Sequence, residues 1–526
     1  MQLTRRRFLG GAGAMVAAGG TGLLAACQSA AQGQPTSAAA PPAPAPTSGS
    51  TSAAAASSPA PATAPPLAKP AASVGPSASP ALAPAVAAAP SPAAAAAAPS
   101  PAAAPAAARP PAAASAAFAG KQMYQQDAQH SGRSPFAGPR QAMLLRRFDA
   151  ALPQNMPPDA FTPRADYQSS SVIGPDGTIY VANFPGMLFA LRDSPSAPDQ
   201  LEVAWRFHPP ASSSLHATPA LSSDGSTLYL AFAAGSFNST SPKATLYALQ
   251  APASGTDPQV VWTADLGATR VAASPTVGPD GTIYVANAMG QLFAVAANGS
   301  IKWTAQTGAT LKSAPALGAD GTVYHATSDG KMYAVSAQGQ AKWTFDFGAH
   351  LGPTPLVTAE GGGPGGGGGA TGVGSGASPT IGPDGTIYIG ANNSNMYAVA
   401  PDGSMKWLFE AERELAGIWT TPALSADGST LYFGANKGGV YAVNAATGSR
   451  VWQFGVYGSI YASSVLDSRG VLYTGTTIEH VYAIDSARGE QIWDYDAHNE
   501  VWSAPSIRPD GTLVIADRGG LIQVLG

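Results

Sequence analysis

The side chains best suited to chemistry recur at one spacing. Nine positions before each of eight turn glycines stand Gln168, His216, Ala272, Lys312, Gly376, Trp419, Tyr461 and Trp502. The set is uneven. Three aromatics crowd its end, and His216 and Lys312 lie in its first half. Aromatic faces suit peptide side chains, sugars or a planar ring, and an imidazole or ammonium can orient a polar group against them. The same side chains could also simply fill space. Asp494-Tyr495-Asp496-Ala497-His498-Asn499-Glu500 is the densest acidic run with a histidine, and it reads as a solvated loop, because a metal needs several converging hard ligands. His130 and His325 are isolated and read as structural or exposed. No His-Glu-x-x-His, no Gly-x-Ser-x-Gly and no phosphate-cradling loop with lysine occurs, so no catalytic residue is assigned.

The elements that must position these residues follow from a repeat. Ser274-Pro275 opens one unit, Pro279-Asp280-Gly281 turns it, and Thr282-Ile283-Tyr284-Val285 and Leu292-Phe293-Ala294-Val295 read as a hairpin of half-buried strands. Asn298-Gly299 then turns the chain towards Trp303. Each unit is a four-stranded antiparallel meander that cannot bury both faces alone. The turn glycines are 177, 225, 281, 321, 385, 428, 470 and 511, at intervals of 48, 56, 40, 64, 43, 42 and 41 residues. Insertions at 194–200, 233–243 and 360–376 explain the long intervals. A fourth-strand tryptophan recurs as Trp205, Trp262, Trp303, Trp343, Trp407, Trp452 and Trp493, seven for eight units, and each is expected to pack between neighbouring units. The eighth unit has three strands, and Leu144–Phe148 can supply its fourth. The expectation is an all-β, eight-bladed β-propeller closed by an N-terminal strand, since closure hides the sheet edges. A seven-bladed ring and an open solenoid are the alternatives.

Upstream of the repeat the chain changes character. Thr4-Arg5-Arg6-Arg7-Phe8-Leu9-Gly10 resembles a twin-arginine export signal, and Leu24-Ala25-Ala26-Cys27 resembles a lipoprotein processing box. The expected division is a signal peptide over 1–26, a lipid-bearing Cys27 with an Ala/Pro-rich linker over 27–117, and the propeller over 118–526. Between Gln28 and Ala117 the only charges are Lys69 and Arg109, and dense proline there opposes both a packed core and a helix. As a flexible coil this linker would span roughly 50 Å. Cys27 is the one cysteine, which excludes an intramolecular disulfide and any cysteine-based zinc or iron–sulfur site. The net charge is −4, with no basic run beyond the signal, so no nucleic-acid partner is expected.

Ala442-Val443-Asn444-Ala445-Ala446-Thr447-Gly448-Ser449-Arg450-Val451-Trp452 and Ala483–Trp493 are similar to the tryptophan-docking motif of quinoprotein-type propellers, named for pyrroloquinoline quinone. Asp127–Pro135 resembles the opening segment of that superfamily, and the resemblance extends over about Lys121–Gly526. The superfamily's alcohol-oxidising members resemble one another in an adjacent cysteine pair over the quinone, a bound calcium and a catalytic aspartate. The cysteine pair is absent here, and no position matches the calcium ligands. The chain is also similar to exported lipoprotein propellers, including that of the outer-membrane β-barrel assembly machinery. This resemblance implies a non-catalytic, monomeric scaffold, lipid-anchored on the outer face of the cell membrane or in the periplasm, with an envelope protein or polysaccharide as partner and no cofactor. A quinone- and calcium-dependent oxidoreductase with a cysteine-free site, and a carbohydrate-binding propeller, are the other two functional readings.

Overall fold

A computed structural model of the chain describes residues 123–526 without 152–165, 184–185, 210–212, 215–216, 235–241, 253–256, 272, 309–312, 351–376, 412–416 and 457. It is an eight-bladed β-propeller. Blade 3 shows the common plan: Thr276–Val277, Ile283–Ala286, Gln291–Val295 and Ile301–Gln306 pair in chain order, antiparallel throughout. Blades 1 and 4 to 7 repeat it. Blade 2 differs. Its central hairpin lengthens to Thr227–Ala234 and Lys243–Gln250, and Ser213–Ser214 adds a short fifth strand. Blade 8 takes Ser506–Ile507, Leu513–Ala516 and Leu521–Leu525 from the C-terminal end, and Leu144–Asp149 as its outermost strand.

The repeated turn works as its residues dictate. Gly281 has φ +77°, and its N–H donates to the Gly278 carbonyl at 2.9 Å. Asp280 accepts the Thr282 N–H and hydroxyl at 3.0 and 2.7 Å, and Lys302 reaches both side chains from the outer strand. Blades 4 and 5 repeat this triad as Asp320-Thr322-Lys342 and Asp384-Thr386-Lys406. The Thr322 hydroxyl is the leading cause, against partial burial, of an Asp320 carboxyl lowered to about 2.

The central strands are not half-buried, as alternation in the sequence implied. All four residues of Ile283–Ala286, and of its counterparts Ile179–Ala182, Val323–Ala326 and Ile387–Gly390, are buried. The reason is radial packing, which sandwiches each blade between two others and buries both faces. Solvent alternation appears instead in outer strands such as Ile301–Gln306, and in the long third strand Lys243–Gln250 of blade 2. Among the described residues, eight apolar clusters each join one blade to the next, and the cluster of Phe148, Ile522 and Val524 with Ile173, Val181 and Phe189 closes blade 8 on blade 1.

The tryptophan series lies on these interfaces. Each of the seven sits 5.6–5.9 Å, centroid to centroid, from the tyrosine of its own blade's second strand, as Trp303 does from Tyr284. Its indole N–H donates to the turn of the next blade: Trp262 to the Ala297 carbonyl, Trp303 to Ala337, Trp343 to Pro401, Trp407 to Ala445 and Trp452 to Ser486. Trp493 donates instead to Pro139, because the N-terminal segment replaces that turn in blade 8. Trp205 Nε1 has no partner among the described residues.

Candidate functional site: the aromatic end of the channel

The innermost strands line the propeller axis, and a ring of hydrogen bonds ties them together. Seven residues before the turn glycine, a backbone N–H donates to the hydroxyl of the next blade. Ser170 donates to Thr218, Thr218 to Ser274, Ala314 to Ser378, Ser378 to Thr421, Thr421 to Ser463 and Ala504 to Ser170, at 2.8–3.0 Å. Two residues earlier in the chain come the candidate site residues.

Residues 123–139 cross the axis inside this ring. Carbonyls of Ala128, Gln129, Ser131 and Gly132 accept the N–H groups of Leu317, Ile381, Leu424 and Leu466, so the segment caps the inner strands of blades 4 to 7 in succession. His130, expected to be isolated, is buried in this segment. Its Nδ1 lies 2.9 Å from the Pro379 carbonyl and its Nε2 3.3 Å from Thr276 Oγ1. Tyr124 OH contacts Thr421 Oγ1 at 3.0 Å and Ser463 Oγ at 2.9 Å.

At the level of Gln168 and its equivalents, Trp419, Tyr461 and Trp502 form one continuous, partly exposed row. Trp419 and Tyr461 are 5.1 Å apart and tilted by 32°, and Tyr461 meets Trp502 at 5.1 Å and 67°. The Arg518 guanidinium lies over Trp502, 3.9 Å from its centroid. Arg518 also pairs with Asp166 at 3.0 Å and with Glu500 at 2.9 Å, and Gln168 Nε2 donates to Asp166 at 3.1 Å. Partial burial opposes the Arg518 charge, but the hydrogen bonds and charges of Asp166 and Glu500 outweigh it and raise its pKa. Both indole N–H groups of the row, on Trp419 and Trp502, are recessed and have no partner. Gly417, at φ +99°, leaves room for Trp419, since a Cβ there would stand 2.8 Å from Nε1.

So four of the candidate residues, Gln168, Trp419, Tyr461 and Trp502, are brought to one place. His216 and Lys312, like Ala272, Gly376 and the lipidation candidate Cys27, lie outside the described residues. Sequence reading missed Asp166, Arg518 and Tyr124, and it assigned Glu500 to a solvated loop. Asp494 and Asp496 pair with His480 and His498 at 3.2 Å. Among the described residues, no three or more His, Cys, Asp or Glu gather as a metal would need, and no helix is long and apolar enough to cross a membrane.

Eight blades, seven of them carrying a docking tryptophan, around a threaded axis define a quinoprotein-type β-propeller. The chain belongs to the family described as outer membrane protein assembly factor BamB, whose model matches residues 242–401, 371–464 and 436–525, more than half of the sequence. No curated protein matches it. Among solved structures, BamB from Moraxella catarrhalis is similar at 15% identity and a TM-score of 0.51, over 73% of this chain and 99% of that one. A europium-containing methanol dehydrogenase is similar at 12% identity and a TM-score of 0.56, over 76% of this chain and 89% of that one. The quinohemoprotein alcohol dehydrogenase of Comamonas testosteroni is similar at 12% identity and a TM-score of 0.56, over 77% and 80%. At these identities the likeness to solved structures is one of fold.

Proposed function

We propose that this chain is an exported, lipid-anchored β-propeller that binds envelope proteins as a non-catalytic assembly scaffold, held on the outer face of the cell membrane or in the periplasm through Cys27. The observation that carries the proposal is the family match over residues 242–525, to a family described by its role in outer-membrane protein assembly. The twin-arginine-like Thr4–Gly10 stretch and the box ending at Cys27 support export and anchoring. The partly exposed aromatic row is the surface offered to the partner.

The residues present do not fit a calcium-bound quinone. The channel beneath the row is threaded by 123–139, Arg518 covers one face of Trp502, and the described residues gather no acidic cluster for calcium. The scaffold reading accordingly assigns no redox cofactor. Crosslinked capture from native envelopes tests this, comparing wild type with Trp419→Ala/Trp502→Ala. A stoichiometric protein partner, lost in the variant, is the expected result. Turnover of an alcohol after loading with quinone and calcium, read by dye reduction, would overturn it.

A further inference from the structure

The aromatic row carries a graded charge, and the grade points to what a partner must present. We infer that the protein partner places an arginine side chain on the Tyr461–Trp502 half of the row, its guanidinium stacked on Tyr461 and paired with the exposed carboxylate of Glu500. The inference rests on the protein-binding reading proposed above and names the chemistry of that partner.

The row is a braced platform. The N–H groups of Asn436, Thr477 and Arg518 donate to the carbonyls of Gly417, Ser459 and Glu500 at 3.2, 3.0 and 2.9 Å. Each of those carbonyls stands two residues before a ring of the row. The turns between the second and third strands of blades 6, 7 and 8 therefore hold the loops of Trp419, Tyr461 and Trp502 in turn. Rings fixed before binding lose little freedom when a partner arrives.

The same turns set the charge. Exposed Lys437 lies on the turn beside Trp419, and exposed Glu479 lies on the turn beside Tyr461. Asp166, Glu500 and Arg518 stand beside Trp502. Among the described residues, the Trp419 end is thus positive. At the Tyr461–Trp502 end three acidic residues, Glu479, Glu500 and Asp166, stand against one guanidinium. A partner complementary to that half brings a positive charge.

Arg518 shows how this corner treats a guanidinium. It lies over Trp502, donates to Asp166 from Nε and Nη2 at 3.2 and 3.0 Å, and donates to Glu500 from Nη1 at 2.9 Å. The Asp166 side chain is 8% exposed and is taken up by this contact, whereas Glu500 is 39% exposed and engages Arg518 through Oε2 alone. Among the described residues, no cation lies over Tyr461 or Trp419. A second guanidinium therefore has a ring and a carboxylate open to it. Arginine suits the place better than lysine, because its planar fork stacks flat while pairing at its edge. A neutral sugar would stack on the same rings but leave the acidic excess uncompensated.

The test uses the full chain labelled with 5-fluorotryptophan, in which Trp419→Phe and Trp502→Phe assign the fluorine signals of the row. The probes are acetyl-Gly-Arg-Gly-amide, its citrulline counterpart, which keeps the planar shape without the charge, and chitohexaose. Expected is a saturable shift of the Trp502 signal by the arginine peptide at concentrations on the order of millimolar, about tenfold weaker with citrulline and weakened by salt. Glu500→Gln should weaken it by about tenfold, and Tyr461→Leu, which leaves every charge in place, by a similar factor. An equal response to both peptides, or a response to neither, would overturn the inference. A shift with chitohexaose alone would assign the row to a glycan and overturn it equally. Capture from native envelopes separates the two readings. A partner held equally by wild type and Glu500→Gln but lost in Trp419→Ala/Trp502→Ala sinks the arginine alone, and arginine-specific shifts with no captured partner sink the scaffold alone.

Discussion

Among the described residues, a glycine facing a tryptophan is the unit on which five of the blade interfaces depend. Gly489 has φ +71°, and a Cβ there would stand 2.6 Å from the Trp452 ring; Gly299 and Gly448 meet Trp262 and Trp407 at 2.7 Å. The left-handed backbone and the close approach act together, so Gly489→Ala is expected to cost about 2 kcal/mol or more, read as a lowered Tm. Trp407, 8% exposed, is nearly enclosed, and Trp407→Ala should cost about 3–5 kcal/mol. His325 carries a different liability. It occupies the strand position held by Val181 and Val285 in blades 1 and 3, and neither ring nitrogen has a partner. Burial alone lowers its pKa to about 4, and burial, against the Pro379 carbonyl, does the same to His130. Both rings are neutral in the fold and more readily protonated once unfolded. Their stabilising effect is complete above about pH 6.5 and is lost as pH falls towards 4, by up to about 3 kcal/mol each. Melting between pH 7 and pH 4.5 should therefore lower Tm more in wild type than in His325→Val. An equal loss in both would mean that His325 is solvated.

The inner strands are two residues long, and their cohesion comes from the hydroxyl ring rather than from ladder length. Ser463 Oγ accepts the Thr421 N–H and also contacts Tyr124 OH, so Ser463→Ala strands a buried donor and weakens the link to the channel segment. A cost of about 1–3 kcal/mol is expected, and Ser463→Thr should recover most of it. An unchanged Tm in Ser463→Ala would show that water replaces the hydroxyl. This ring marks where sequence reading stopped. The turn glycines, the tryptophan spacing and the missing eighth tryptophan gave blade number and closure, because those features are local and periodic. The row of Trp419, Tyr461 and Trp502 was also legible, since one fixed offset from the glycine places all three. Arg518 and Asp166 were not. They lie 352 residues apart and meet only because the ring closes, and no local pattern encodes that contact. The run at Asp494–Glu500 misled for a related reason, as Glu500 leaves its acidic neighbours to pair with Arg518.

At the scale of the whole molecule, one N-terminal stretch serves the axis and the rim. After capping the inner strands, the chain passes blade 7, where Gly138 N–H donates to Asp467 and the Pro139 carbonyl accepts from Tyr473 and Trp493. It then becomes the outer strand of blade 8, with Phe148 packed edge-on against Phe189 of blade 1 at 5.3 Å. Arg146 and Arg508 both reach Asp193 across the same seam, at 3.4 and 3.0 Å; the Arg146 pair is part-exposed and adds little beside the apolar contact, whereas Arg508 is buried. Ring closure thus depends on residues 123–149. A chain of residues 118–526 should melt like the full chain in circular dichroism. A chain of residues 150–526 should lose its cooperative melt and associate, because Leu521–Leu525 becomes an open strand edge. Phe148→Ala is the milder check, with an expected cost of about 3–5 kcal/mol. Were residues 150–526 to melt as one monomeric unit at the full chain's Tm, closure would lie in contacts between blades 8 and 1 alone, and the N-terminal strand would be a cover rather than the clasp of the ring.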